Sequence, residues 1–243
     1  MNINLLNTDE VANLRNLIST SHKAVLFCHV NADGDALGST LTWSAYLRQQ
    51  GMEATVVAPD MFPDFLQWMP GAQDIVRYDK KPEAVKKCVD EADIIFMLDL
   101  NAYTRTGDEL ASILNTCKGK GKKVVIIDHH LNPQGDTDMT ISYPLMSSTC
   151  EIVFRLIWQL GGYEEMTKEM AITTYTGMMT DTGGFTYNST QPEIYYIISQ
   201  LLAKGIDKDR IYRNVFHVFS IDRLRLTGYV LYQKLRILTP LRA

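Results

Sequence analysis

The chain has 243 residues, 46% hydrophobic and 21% charged, a balance typical of a folded globular enzyme and unlike a disordered or collagen-like polymer. That length buries a sizeable core, either as one large α/β domain or as one domain with a helical extension. The formal net charge of −4 lacks the general basicity of a nucleic-acid binder, so any phosphate site has to be local.

Cys28, Cys88, Cys117 and Cys150 form no CxxC pair and no small-scaffold spacing, which argues against a zinc cluster and a disulfide framework. The opening MNINLLNTDEVANL has no signal-peptide character, and no apolar run approaches the ~18 residues of a membrane span. A soluble cytoplasmic protein without a membrane partner is expected.

Thr8 or Asp9 is placed to cap a first helix, in which Val11, Leu14, Leu17 and Ile18 recur at helical spacing. Four short apolar runs, AVLFC (24–28), ATVVA (54–58), DIIFML (93–98) and KVVII (123–127), then read as strands of a parallel sheet covered on both faces. Helical patterns separate them at 36–50, stopped by Gly51, at 81–91 after Pro82, and at 107–117. Residues 59–71 read as a loop with a short helix, its Phe65 and Trp68 going to the core.

After residue 147 the pattern is helical, at 147–160, 168–180, 191–204, 207–219 and 221–238. The fold class predicted is α/β: a doubly wound, mainly parallel sheet with helices on both faces, followed by a helical C-terminal segment. No repeat or Gly/Ser linker breaks the chain before residue 220, so 1–220 is read as one domain and 221–243 as a separate linker helix. From Asp207 onward eight Lys and Arg stand against three Asp; a solvated helix face explains this somewhat better than a site for an anionic substrate. His22 and His217 read as structural.

The chemistry lies where the apolar runs stop. HVNADGDALGS (29–39) follows the first run and presents His29, Asp33 and Asp35, with Gly34 permitting a tight turn; the third run ends in Asp99, and the fourth in Asp128, His129 and His130. Acids at strand ends have no packing role, and crowding them costs Coulomb energy unless cations neutralise them. Mixed imidazole and carboxylate donors suit Mn²⁺, with Mg²⁺ and Co²⁺ as alternatives, and two ions suit the set better than one. Asp181, in MMTDTGGF, ends a helical pattern; by itself it reads as a helix stop and turn.

His-x-Asn-x-Asp-x-Asp, then Asp, then Asp-His-His, then Asp-Thr-Gly, each at the end of an element, resembles the four motifs of the DHH phosphoesterase family, over about residues 22–190. The resemblance implies a first ion on His29, Asp33 and Asp99 and a second on Asp35, Asp99, His129 and Asp181, with Asp99 bridging. It implies that His130 faces the substrate as phosphate contact or proton donor, and that Asp128 orients the histidines. SSTCEIV resembles the stretch after the DHH motif, where Ser148 and Thr149 would offer a helix start to an anion; Ser148 and Glu151 also fit an ordinary capping pattern. Arg105 reads equally well as a phosphate contact and as a surface partner of Asp108.

The resemblance further implies a second domain with a GGGH-like motif after a connecting helix; no such motif occurs here, so 221–243 is expected to lead toward a domain that is absent. Within the family, the bacterial oligoribonuclease and 3′-phosphoadenosine-5′-phosphate phosphatase group fits best, with short RNA or a phosphorylated nucleotide as substrate and a homodimer among the expected assemblies. Manganese pyrophosphatase and cyclic dinucleotide hydrolysis share the four motifs, and a metal- or nucleotide-binding module without turnover is the alternative from another class.

Overall fold

The computed structural model describes residues 2–236. Its strands are β1 (Lys23–Phe27), β2 (Glu53–Ala58), β3 (Val76–Arg77), β4 (Ile94–Leu98), β5 (Lys123–Asp128) and β6 (Met139–Ser142). They form one sheet in the order β3-β2-β1-β4-β5-β6, parallel at every pairing. Four strands coincide with the apolar runs. The other two are edge strands that the sequence reading missed: β3 has two half-buried residues, and only Met139 and Ile141 of β6 are buried.

Alternate residues of each inner strand serve opposite faces. Leu26, Phe96, Leu98, Val125 and Ile127 join one core, while Val25, Phe27, Ile95, Met97, Val124 and Ile126 join the other, which is why the inner strands are apolar throughout. The helices are α1 (Thr8–Ser19), α2 (Gly34–Gln49), α3 (Pro82–Glu91), α4 (Asp108–Leu114), α5 (Thr149–Gln159), α6 (Lys168–Asp181), α7 (Pro192–Ala203), α8 (Lys208–Phe216) and α9 (Ile221–Tyr229). Residues of α3 and α4 pack into the second core, and those of α1, α2 and α5 to α8 into the first.

The cap of α1 is Asn7 rather than Thr8 or Asp9; its side chain accepts from the Glu10 N–H while the Glu10 carboxylate accepts from its own N–H. The last predicted helix, 221–238, is shorter than expected, turning from α- to π-helical at Val230–Lys234 with its residues exposed; its last two residues and the rest of the expected linker, 237–243 together, lie outside the described residues. Among the described residues no helix is long and apolar enough to cross a membrane.

Two features of this topology position chemistry. The chain leaves β1 in one direction toward β2 and β3 and returns past it to β4, so the carboxyl ends of β1 and β4 flank the crevice where open α/β sheets bind ligands. The start of α2 also lies against the end of α6. A Cβ at Gly34 would overlap the Thr180 side chain, and one at Gly38 would stand 2.6 Å from the Thr173 carbonyl oxygen, while farther along Thr42 Oγ1 bonds Thr173 Oγ1 at 2.7 Å and Thr174 Oγ1 at 3.1 Å.

Candidate metal centre

His29 is nearly buried beyond the end of β1, and its Nδ1 donates to the Val30 carbonyl at 2.7 Å. That bond leaves Nε2 aimed inward, 3.4 Å from Asp99 Oδ2. Asn31, at φ 54°, turns the chain into α2 and is held there by its N–H to the Asp60 carboxylate at 2.9 Å. Asp33 is then the N-cap of α2, accepting from the N–H groups of Asp35 and Ala36. Asp35, in the first turn, is wholly buried.

Asp99 follows β4 at φ 60° and is 1% exposed. A non-glycine residue in this left-handed region costs about 1–2 kcal/mol, and the N–H bond to the Ile127 carbonyl helps to fix it there. β5 ends in Asp128 and leads directly to His129 and His130.

All six implied ligand positions meet at this edge, and His130 with them. His29, Asp33 and Asp99 offer donor atoms within 4.8 Å of one another, as do Asp35, His129 and Asp181, and again Asp99, His129 and His130. His129 Nε2 stands 3.6 Å from Asp99 Oδ1 and 3.4 Å from Asp181 Oδ2. The first group is the triplet implied for one ion. The second holds three of the four donors implied for the other, and Asp99 is common to the first and third.

Electrostatics give this clustering a cost that cations would remove. Burial, and then the charges of Asp99, Asp181 and Asp33, push the Asp35 carboxyl well above the usual carboxylate range. Asp99 is raised by burial first and by Asp33 next, and Asp181 by burial chiefly. Asp181 also sits at the C-terminal end of α6, where the helix dipole disfavours an anion. This donor set of imidazoles and carboxylates fits divalent cations such as Mn²⁺.

Behind the cluster, Asp128 is fully buried; its Oδ1 lies 2.7 Å from His130 Nδ1, and its Oδ2 has no hydrogen-bond partner. The Asp128 bond is the main reason the imidazole pKa of His130 is raised. Arg105 is turned to the site rather than to Asp108: its Nη1 donates to the Asp99 carbonyl at 3.2 Å and stands 3.3 Å from both ring nitrogens of His130.

Ser148 and Thr149 stand at the start of α5, the helix start expected to meet an anion. Both are fully buried, and the anions met at the start of α5 are the protein's own carboxylates. The N–H groups of Thr149 and Cys150 donate to the two oxygens of Asp35 at 2.6 and 2.8 Å, and Thr149 Oγ1 donates to Asp99 Oδ1 at 2.9 Å. Ser148 caps α5 through the Glu151 N–H, while the Glu151 carboxylate goes to Ser147 and to a buried ion pair with Arg155.

The sequence reading overlooked Asp60 and Gly177. Asp60 follows β2 as Asp99 follows β4, a signal that was available. Gly177 carried none: only in the fold does its Cα face Cys150 and Asp35, leaving no room for a side chain, since a Cβ there would overlap Cys150 Sγ and stand 3.0 Å from Asp35 Oδ1.

A parallel doubly wound sheet that gathers three histidines and four aspartates at its topological switch defines a domain of the kind that assembles divalent cations at strand ends. Residues 23–178 match the model of the DHH family, N-terminal domain, and the chain belongs to that family. It is 29% identical over 178 residues to the bifunctional oligoribonuclease and PAP phosphatase NrnA of Thermus thermophilus, covering 73% of this chain and 49% of that one. The crystal structure of an exopolyphosphatase-related protein from Bacteroides fragilis superposes with a TM-score of 0.90 at 47% identity, over 94% of this chain and 66% of the other. Exonuclease RecJ bound to manganese shares the fold, with a TM-score of 0.51 at 16% identity, over 84% of this chain and 49% of that one. The chain thus spans about half to three-fifths of the length of the NrnA relatives it matches.

Proposed function

We propose that this domain is the metal-binding half of a phosphoesterase that hydrolyses short oligoribonucleotides or 3′-phosphoadenosine-5′-phosphate. The observation that carries the reading is the pair of donor groups, His29/Asp33/Asp99 and Asp35/His129/Asp181, joined by the contact between Asp99 and His129. These residues would hold two divalent cations, Mn²⁺ by preference with Mg²⁺ or Co²⁺ as substitutes, and such a pair supplies an acidified water and neutralises phosphate oxygens.

The chain's own groups do the rest. Asp128 fixes the His130 ring through Nδ1, and His130, about a third exposed, is placed to donate a proton to the leaving oxygen. Arg105 adds a guanidinium beside that imidazole for a phosphate oxygen. Thr149 and the start of α5 hold Asp99 and Asp35 in place, so their role is positioning rather than substrate contact.

The test is a chromatographic time course with 3′-phosphoadenosine-5′-phosphate and a short oligoribonucleotide, in Mn²⁺ and in EDTA, with pyrophosphate, polyphosphate and a cyclic dinucleotide as comparison arms. Metal-dependent release of AMP or mononucleotides is expected. Faster turnover of a comparison arm would reassign the substrate, and metal binding without turnover of any arm would make the domain a binding module.

A further inference from the structure

The geometry points to a platform for a nucleobase beside the metal cluster, built by Tyr187 and Tyr212 on the glycine pair that follows Asp181. The inference rests on the phosphoesterase reading, and it places the nucleoside part of the substrate.

α6 ends at Asp181, and the chain reverses through Gly183 at φ 55° and Gly184 at φ 72°. The turn is closed by the Gly183 N–H on the Thr180 carbonyl and the Gly184 N–H on the Met179 carbonyl. Only glycine takes this backbone without strain, and here the missing side chains have a second consequence: an aromatic ring occupies the space beside each. A Cβ at Gly183 would overlap the Tyr187 ring, and one at Gly184 would come within 3.2 Å of Tyr212 Cε2.

The two rings lie against the turn yet remain in water, Tyr187 at 59% and Tyr212 at 41% exposure. Phe185 in the same segment instead packs on Tyr175, with ring centroids 5.6 Å apart. Among the described residues neither phenol hydroxyl has a hydrogen-bond partner. Tyr212 is braced from behind by Phe216, 4.8 Å between centroids, and edge-on by His217 at 5.4 Å. Two solvent-facing aromatic rings seated against one turn are suited to stacking on the π-face of a base.

Its place specifies the occupant. The Cα of Gly183 can be no farther than about 7.6 Å from that of Asp181, two residues away, and the Asp181 carboxylate faces His129 within the cluster. A phosphate held there would leave its sugar and base within reach of the glycine turn. Stacking tolerates every base, which suits an enzyme for short oligonucleotides of any sequence.

The experiment is equilibrium binding of AMP and of ribose 5-phosphate to the full chain in Mn²⁺, with turnover of 3′-phosphoadenosine-5′-phosphate measured alongside. The parent should bind AMP at least roughly tenfold more tightly than ribose 5-phosphate. Tyr187→Ala should bring that ratio close to one and leave ribose 5-phosphate binding unchanged, Tyr187→Trp should restore it, and Tyr212→Ala should lower it in part. A parent without base preference, or a Tyr187→Ala change that is equal for both ligands or absent, overturns the platform. Base preference without turnover would keep the platform and remove the phosphoesterase reading; turnover without base preference would do the reverse.

Discussion

Asp99→Asn should stabilise the protein without metal and abolish its stabilisation by metal. In the metal-free fold the carboxyls of Asp35, Asp99 and Asp181 hold protons more tightly than in the unfolded chain, because burial penalises their ionised forms. The native state therefore binds more protons, and its stability falls as pH rises from the unfolded carboxyl value near 3.9 through the raised native values. Asn mimics the protonated acid. Its oxygen keeps the Thr149 hydroxyl bond and its amide faces His29 Nε2, so the variant removes the buried charge at little packing cost.

The gain without metal at pH 8 should be about 1 kcal/mol, or roughly 2–4 °C in Tm for a chain of this size. Mn²⁺ at a hundred times its Kd should stabilise the parent by about 2.7 kcal/mol for each ion bound, or roughly 5–10 °C per ion, and should do little for the variant. Differential scanning calorimetry in EDTA and in MnCl₂, at pH 5.5 and 8, measures both effects and should show the parent's metal shift growing with pH. A variant less stable than the parent in EDTA, or still shifted fully by Mn²⁺, would refute the argument that Asp99 is a charge kept for cations.

His130→Gln should lower kcat by roughly 10²–10⁴ while leaving the Mn²⁺-induced thermal shift intact; loss of that shift would make His130 a ligand and not a proton donor. Gly177→Ala would raise Tm if helix propensity alone governed it, but overlap with Cys150 Sγ and the approach to Asp35 should instead destabilise by about 1–3 kcal/mol. Weaker Mn²⁺ binding should accompany that loss in a calorimetric titration, because the shifted atoms belong to Asp35 and to the α5 start that holds it.

Much of the fold was legible because burial on two faces is written locally. A strand covered on both sides must be apolar at every position, so Ile94 to Leu98 and Val124 to Ile127 announced themselves, and the polar residues that end such runs stood out. The edge strands did not: Val76–Arg77 and Met139–Ser142 are short and half covered, and their sequences differ little from loops. Asn7 was missed as a cap because Thr8 and Asp9 beside it offer the same chemistry.

The candidate site divides in the same way. Which side chains end up at strand and helix termini is encoded locally, since the spacing from a buried run to His29, Asp99 or His129 is a matter of a residue or two along one extended chain. Which of them share a donor group depends on strand order, on the return of the chain past β1, and on how closely α2 approaches α6. Those are long-range packing outcomes that no local stretch encodes: the α5 start turned to Asp35 and Asp99, Arg105 laid beside His130, and Tyr187 and Tyr212 set against a glycine turn that in sequence is only a helix stop.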